Sequence, residues 1–213
     1  MAALNRELIL QTAVAMADCD GFESVTLRRI AAGLEVHVTS LYNHVATREA
    51  VTDGIVDLLI DEAKLPVTAV GWEGWVRHFY AAMGTVAVAH PGAFTALQRR
   101  PVQGPRAAAS FEVALEAFSR AGLGPADAYN AVKATALTAL AVGMERSVAA
   151  RGPLLETAID ELPAESFPQI RAVQAEGDPE AAWSFTLETL VAGLRCQLAG
   201  RLPTDSPIGI SAP

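Results

Sequence analysis

The stretch that decides the fold is residues 26–48, TLRRIAAGLEVHVTSLYNHVATR. Thr26 is a candidate N-cap, and the apolar residues after it have the spacing of a short helix over 27–34. Leu41 and Val45 lie one turn apart and predict a second short helix. Two short helices joined by a tight turn and preceded by a further helix form a helix-turn-helix.

The same stretch also allows a different interpretation. Residues 36–42 contain β-branched side chains in partial alternation, which would suit a strand. No partner strand is visible nearby, and an isolated strand is not stable, so we prefer the helical interpretation. An apolar helical hairpin can also be ordinary core, which leaves a purely structural role for this motif open.

Helical spacing continues along most of the chain, which predicts an all-α fold. A first helix is expected over 5–20, where Gly21 ends it, and Thr47 should cap a longer helix over 47–64. Further helices are expected near 72–89, within 91–99, before Gly122, from Pro125 to about Arg151, and over 180–201, with a loop that contains one or two short helical turns at 152–178. The predicted domains are a helix-turn-helix domain at 1–66, a helical effector-binding and dimerisation domain at 67–202 and a tail at 203–213.

Composition narrows the function classes. The chain has 213 residues, of which 51% are hydrophobic and 19% charged, with a net charge of −8, so it can bury a core and is not a disordered chain. Residues 78–98 carry no Lys, Arg, Asp or Glu, but His90-Pro91-Gly92 interrupts them, so two shorter helices are favoured over a membrane span. Two cysteines, Cys19 and Cys196, predict no disulfide framework, and we expect a cytoplasmic protein.

Charge near the motif points to a small contact set rather than a basic surface. Residues 1–66 contain five Lys/Arg and ten Asp/Glu, a net of 5 − 10 = −5. Residues 26–48 alone carry three arginines against one glutamate, a net of 3 − 1 = +2. Short side chains on the second helix could touch base edges, and larger ones could hold phosphates. The former are Val38, Thr39, Ser40, Asn43 and His44, and the latter are Tyr42 and Arg48.

Three segments, LNRELIL at 4–10, TLRRIA at 26–31 and TSLYNHV at 39–45, resemble the DNA-binding domain of the TetR family of bacterial repressors. AHPG at 89–92 and LPAESFP at 162–168 resemble the regulatory domain of the tetracycline-repressor branch. The resemblance implies a homodimer on a palindromic double-stranded operator. It places Arg28, Val38, Thr39, Ser40 and Asn43 nearest the bases, and Thr26, Tyr42, His44 and Arg48 along the DNA backbone. Glu35 departs from the glycine that is usual in the family's turn.

The resemblance also implies an effector cavity and a dimer bundle. The residues on the helices that enclose the family's cavity are Phe79, Met83, Phe94, Leu97, Phe111 and Met144, with Gln98, Arg99 or Arg100 as polar anchors. Each apolar residue taken alone could equally be ordinary core. The small residues of 131–143 and the leucines of the last helix would form a four-helix dimer bundle, or else fill the core of the monomer. Histidines that bind metal in tetracycline repressors have no match near Leu97 or Lys64, so a metal–tetracycline effector is not expected.

The sequence therefore predicts a ligand-responsive transcriptional regulator, most simply a repressor released by a small, mostly apolar effector. No phosphate loop, nucleophile motif or metal-binding histidine spacing is present, so neither an enzyme nor a cofactor is expected. Two alternatives stay open. One is a helical small-molecule-binding protein or enzyme that does not bind DNA, and the other is an activator with the same fold.

Overall fold

The computed structural model describes residues 4–99, 104–150, 166–169, 172 and 178–200, and the predicted all-α fold is confirmed there, without a strand in these ranges. The helices are α1 Arg6–Asp20, α2 Leu27–Gly33, α3 Val38–Leu41, α4 Arg48–Ala63, α5 Trp72–Ala89, α6 Ala96–Arg99, α7 Pro105–Arg120, α8 Pro125–Ala149 and α9 Pro179–Leu198. Two 3₁₀ turns lie at Phe22–Ser24 and Ala93–Thr95. Most of the loop expected at 152–178, and the whole tail at 203–213, lie outside the described residues.

Short polar side chains begin the N-terminal helices where the sequence predicts them. Thr26 Oγ1 accepts a hydrogen bond from Arg29 N (3.2 Å), and Thr47 Oγ1 accepts one from Ala50 N (3.1 Å). Each bond satisfies a first-turn amide that the helix itself leaves without an acceptor. Gly21 ends α1 with φ 84°, a backbone conformation that favours glycine.

A small apolar core joins α1, α2 and α3. Ile9, Ile30 and Leu41 are fully buried, and Val45 is nearly so. The strand interpretation of 36–42 is wrong, because this stretch contains the turn and α3. α3 is shorter than expected and ends at Leu41, although Val45 N still donates to the Leu41 carbonyl (2.8 Å) and continues the chain for one more turn.

The turn between α2 and α3 is a Schellman motif with glutamate at its left-handed position. Val36 N donates to Ala31 O (3.0 Å) and Glu35 N donates to Ala32 O (3.2 Å), the two bonds that define this motif. Glu35 has φ 55°. A residue other than glycine is strained by about 1–2 kcal/mol in this conformation. The helix-turn-helix therefore forms without the expected glycine, at a modest cost in stability.

α4 connects the N-terminal helices to the larger half of the molecule. Its first part packs on α1 so closely that a Cβ atom on Gly54 would lie 2.5 Å from a methyl group of Leu10. Its second part contacts α5, α6 and α7. A change in the position of α6 can therefore reach α1 through this one helix.

The larger half is built around α5 and α8, with α7 and α9 packed beside them. Trp75 on α5 is fully buried and donates from Nε1 to Ser110 Oγ on α7 (3.0 Å). Tyr80 donates from its hydroxyl to the Trp183 carbonyl on α9 (2.7 Å). No helix in the described part of the chain has the length and apolar character needed to span a bilayer.

Candidate nucleic-acid interface and effector cavity

The predicted DNA contacts form an exposed surface around α3. Thr26, Thr39, Tyr42, Asn43 and His44 are all exposed, and Tyr42 keeps 53% of its surface open although it is a large aromatic residue. We call residues 38–44 together with Arg28 the reading surface. α2 and α3 pack against each other, so Arg28 and the 38–44 stretch belong to one small unit.

Two predicted members of this surface are less open than expected. Val38 and Ser40 are half-buried, and Val38 packs against the apolar core. Val38 is the first residue of α3, and its side chain packs against the apolar core that contains Leu41. The exposed polar groups of the reading surface are therefore on Thr39, Tyr42, Asn43 and His44.

The three arginines of 26–48 differ in their pairing. Arg29 forms an ion pair with Asp20, and Arg48 forms one with Glu23 (3.2 Å). Arg28 is exposed and makes no ion pair or hydrogen bond through its side chain with the described residues. The positive charge predicted for this motif is therefore available chiefly at Arg28, while Arg48 would have to exchange Glu23 for a phosphate.

A cavity of about 730 Å³ lies between α4, α5, α6, α7 and α8. Four of the predicted ligand contacts line it, namely Phe79, Met83, Leu97 and Phe111, together with the candidate anchors Gln98 and Arg99. Phe79 stacks on Trp75 with ring centroids 4.9 Å apart, which fixes its ring as one wall. The volume and the mostly apolar lining are typical of a small-molecule site.

Two predicted contacts, Phe94 and Met144, do not line this cavity. Phe94 is fully buried and fits against Gly143 of α8, where a Cβ atom would lie 2.5 Å from its ring. Because Gly143 has no side chain, the Phe94 ring packs against α8 at this position instead of lining the cavity. Met144 is half-buried, with its sulfur 3.8 Å from Ser147 Oγ. Arg100, the remaining anchor, lies outside the described residues.

On α8, the sequence prediction names Met144 and misses the residues of this helix that do line the cavity. Tyr129, Lys133 and Leu137 all line it, and Tyr129 and Leu137 are more than half exposed, so the cavity opens to solvent along α8. One signal could have identified this side. Lys133 is the single charged residue in the otherwise small and apolar run 131–143.

A polar cluster joins α1 and α4 to the turn before α6. His90 bonds Asp18 Oδ2 through Nδ1 (2.8 Å) and Glu62 Oε2 through Nε2 (2.9 Å). Asp18 Oδ1 also accepts hydrogen bonds from the amides of Gly92 and Ala93 (2.9 Å each). Burial opposes the charged imidazole, but the bond to Asp18 and the charge of Glu62 outweigh it and raise the pKa of His90. The cluster ties the segment that leads into α6 to the helix-turn-helix domain.

Glu23 makes a second connection between the two halves. Its carboxylate binds Arg48 at the start of α4 and Arg99 at the end of α6. The hydrogen bond from Arg48, followed by that from Arg99, lowers the pKa of Glu23. The Arg99 guanidinium also lies over the Phe22 ring, 5.2 Å from its centroid. The Glu23 carboxylate thus links Arg99, which lines the cavity, to Arg48, which belongs to the predicted DNA interface.

No metal site accompanies these clusters in the described ranges, which contain no group of three or more His, Cys, Asp or Glu placed to hold an ion. No family model matches the chain. An HTH-type transcriptional regulator of Saccharopolyspora erythraea is 36% identical over 125 residues, 58% of this chain and 53% of the relative. The chain spans about half the length of the first curated relatives that it matches.

Two further comparisons extend over nearly the whole chain. The tetracycline repressor protein class D of Escherichia coli is 25% identical over 210 residues, 95% of this chain and 94% of the repressor. The crystal structure of the Streptomyces coelicolor TetR family protein ActR in complex with (S)-DNPA matches with a TM-score of 0.74 at 25% identity, covering 92% of this chain and all of ActR's. These relatives are named as regulators or repressors rather than enzymes, in agreement with the sequence prediction. With its helix-turn-helix and its nearly full-length similarity to these proteins, the chain resembles the TetR family in both sequence and fold.

Proposed function

We propose that this protein is a ligand-responsive transcriptional regulator. Two copies bind an inverted repeat in double-stranded DNA, and a small, mostly apolar effector in the cavity releases them, which makes the protein a repressor. The observation that carries the proposal is the reading surface, where exposed polar side chains lie beside an arginine whose charge is not paired within the described chain. Short polar groups beside a free guanidinium are suited to base edges and phosphates.

The overall charge favours sequence-specific over non-specific binding. A chain with a net charge of −8 is repelled by DNA except where positive charge is concentrated. Asp20 and Glu23 already neutralise Arg29 and Arg48, so few charges remain for phosphate contacts. Affinity must then come from a few well-placed contacts and should fall only shallowly with salt.

Pairing of two copies is supported by the outer face of α9. Phe185 on this helix is 73% exposed, more than any other large hydrophobic side chain among the described residues. Small residues surround it on the same helix, including Ala181, Ala182 and Ala192, all exposed. A second copy that packs there through a two-fold axis would cover the ring and present two reading surfaces to one duplex.

Coupling between effector and DNA follows the contacts that join the two halves. α6 carries cavity residues Leu97 and Arg99, and α4 lies between α6 and the helix-turn-helix. A ligand that prefers a shifted α6 would also shift α4 and change the separation of two reading surfaces. A differential affinity of about 1–3 kcal/mol is enough for such a response. That ActR was crystallised with (S)-DNPA supports a small-molecule effector.

Selection of bound fragments from random duplex DNA tests this function. We expect a shared inverted repeat whose half-sites lie about 34–36 Å apart, one helical turn. Arg28→Ala should weaken binding to the selected duplex by roughly 1–3 kcal/mol, about 5- to 150-fold. Arg120→Ala, which removes an arginine on the far helix α7, is the matched control and should change nothing. Absence of any preferred duplex at low ionic strength would refute the proposal.

A further inference from the structure

We propose that the cavity takes an amphipathic anion, a molecule with a flat apolar body and one carboxylate that Lys133 and Arg99 pair. The inference rests on the effector site proposed above and names the chemical class of its ligand. It predicts that charge, and not only shape and hydrophobicity, decides which molecules the cavity accepts.

The apolar body is indicated by the aromatic walls. Phe79 and Phe111 face the cavity with ring centroids 6.2 Å apart and planes inclined by 31°. Trp75 holds both rings in place from behind, by stacking on Phe79 and by a tilted contact with Phe111. Fixed aromatic side chains in the wall favour an aromatic guest, because ring–ring contacts add to the gain from burial.

The anionic group is indicated by the charges of the lining. Arg99 and Lys133 are its charged members, and none of the described lining residues is an aspartate or a glutamate. Lys133 makes no ion pair or hydrogen bond through its ammonium with the described residues. Tyr129 and Gln98 add hydrogen-bond donors. A carboxylate that binds this ammonium would form a charge-assisted hydrogen bond, which is roughly twice as strong as a neutral one.

Arg99 could transmit the binding of an anion in the cavity to the helix-turn-helix, because it also binds Glu23. Its guanidinium is bound to Glu23, so a carboxylate in the cavity competes with Glu23 for the same donors. Glu23 also holds Arg48 at the start of α4. A ligand that draws Arg99 away leaves Glu23 to Arg48 alone, and a neutral molecule of the same shape would not do so.

A matched pair of probes separates charge from shape. We would titrate purified full-length protein, without DNA, with anthraquinone-2-carboxylate and with anthraquinone-2-carboxamide, and follow binding by calorimetry. The carboxylate should bind about tenfold more tightly than the carboxamide, the effect of one charge-assisted contact. Lys133→Met should reduce this ratio to about threefold or less, because the carboxylate loses its charge-assisted contact.

A second variant should change the affinity for the carboxylate in the opposite direction. Glu23→Gln frees Arg99 and should tighten carboxylate binding about threefold without changing carboxamide binding. Arg120→Met removes a charge outside the cavity and should leave both affinities as they are. Circular dichroism and thermal unfolding would establish that each variant is folded, as expected for substitutions of exposed side chains.

Three results would overturn the inference. These are equal affinities of the two probes within about twofold, binding of neither probe up to about 1 mM, and a charge preference that survives Lys133→Met. A charge preference that Glu23→Gln leaves unchanged would contradict the role of Arg99. Because DNA is absent from the titration, a cavity indifferent to charge would leave the proposed DNA binding intact. Loss of DNA binding would likewise leave this measurement unaffected.

Discussion

The cluster of His90 with Asp18 and Glu62 should act as a pH-dependent contact between the helix-turn-helix and the helices that enclose the cavity. The perturbation is a double-mutant cycle of Asp18→Asn, His90→Gln and the two combined. Asparagine at position 18 keeps an oxygen that can accept from the Gly92 and Ala93 amides. The interaction energy of the cycle therefore isolates the contact between the imidazole and the carboxylate.

The magnitude follows from the charges of the pair. The side chains of His90 and Asp18 are 24% and 20% exposed, so water screens their contact only partly. The pKa of His90 is raised above its ordinary 6.5, so its protonated form stabilises the folded state. This stability is fully present below the unfolded pKa and is lost as pH rises through the folded pKa. We expect a coupling of about 2–3 kcal/mol near pH 6 and about 1 kcal/mol near pH 9, where a neutral imidazole remains.

Urea unfolding followed by tryptophan fluorescence measures this coupling, at one fixed protein concentration because association would add to the apparent stability. His37→Gln is the matched control, since His37 is exposed and its side chain makes no hydrogen bond or ion pair within the described ranges. It should leave the pH dependence unchanged. A coupling that is equal at both pH values, or larger at the higher one, would refute the reasoning.

Three substitutions test other parts of the structure. Glu35→Gly relieves about 1–2 kcal/mol of left-handed strain and costs about 0.5–1 kcal/mol of backbone freedom. Urea unfolding should therefore show a net gain in stability of about 0–1.5 kcal/mol, and a loss would contradict the assigned turn. Phe185→Asp should give monomers in sedimentation equilibrium at micromolar concentration, whereas an intact dimer would exclude α9 as the interface. Gly143→Ala should destabilise the fold by about 1 kcal/mol, because contact with Phe94 outweighs the better helix propensity. Gly74→Ala, with open space around it, should not lower stability, and equal costs at both glycines would argue against that contact.

The helix-turn-helix could be predicted from the sequence because its determinants are local. Thr26 and Thr47 cap amides only three residues away, and Gly21 supplies a backbone angle that glycine tolerates. Apolar spacing also identified Leu41 and Val45 as core. The exact length of α3 and the half-buried position of Val38 could not be read in this way, since both depend on how the short helix settles onto α1 and α2.

The contacts that join the two halves could not be predicted, because they link distant parts of the chain. Asp18 and His90 are 72 residues apart, and Glu23 and Arg99 are 76 apart. Periodicity identifies which face of a helix is buried, but it does not say which helix covers it. For the same reason, the sequence predicts only some of the residues that line the cavity. Phe79 and Phe111 were found by their apolar positions, whereas Phe94 was misplaced because its ring fills the space left by Gly143 on another helix.

The proposed function depends on recognition of bases by the exposed side chains of the reading surface. The most direct test is to repeat the selection from random duplex DNA with a Thr39→Ala/Asn43→Ala double variant and compare its preferred sequence with that of the unmodified protein. We predict the same spacing between half-sites, with base preference relaxed at symmetric positions in each half-site and a cost of about 1–3 kcal/mol per lost contact. An unchanged base preference at every position would contradict the account.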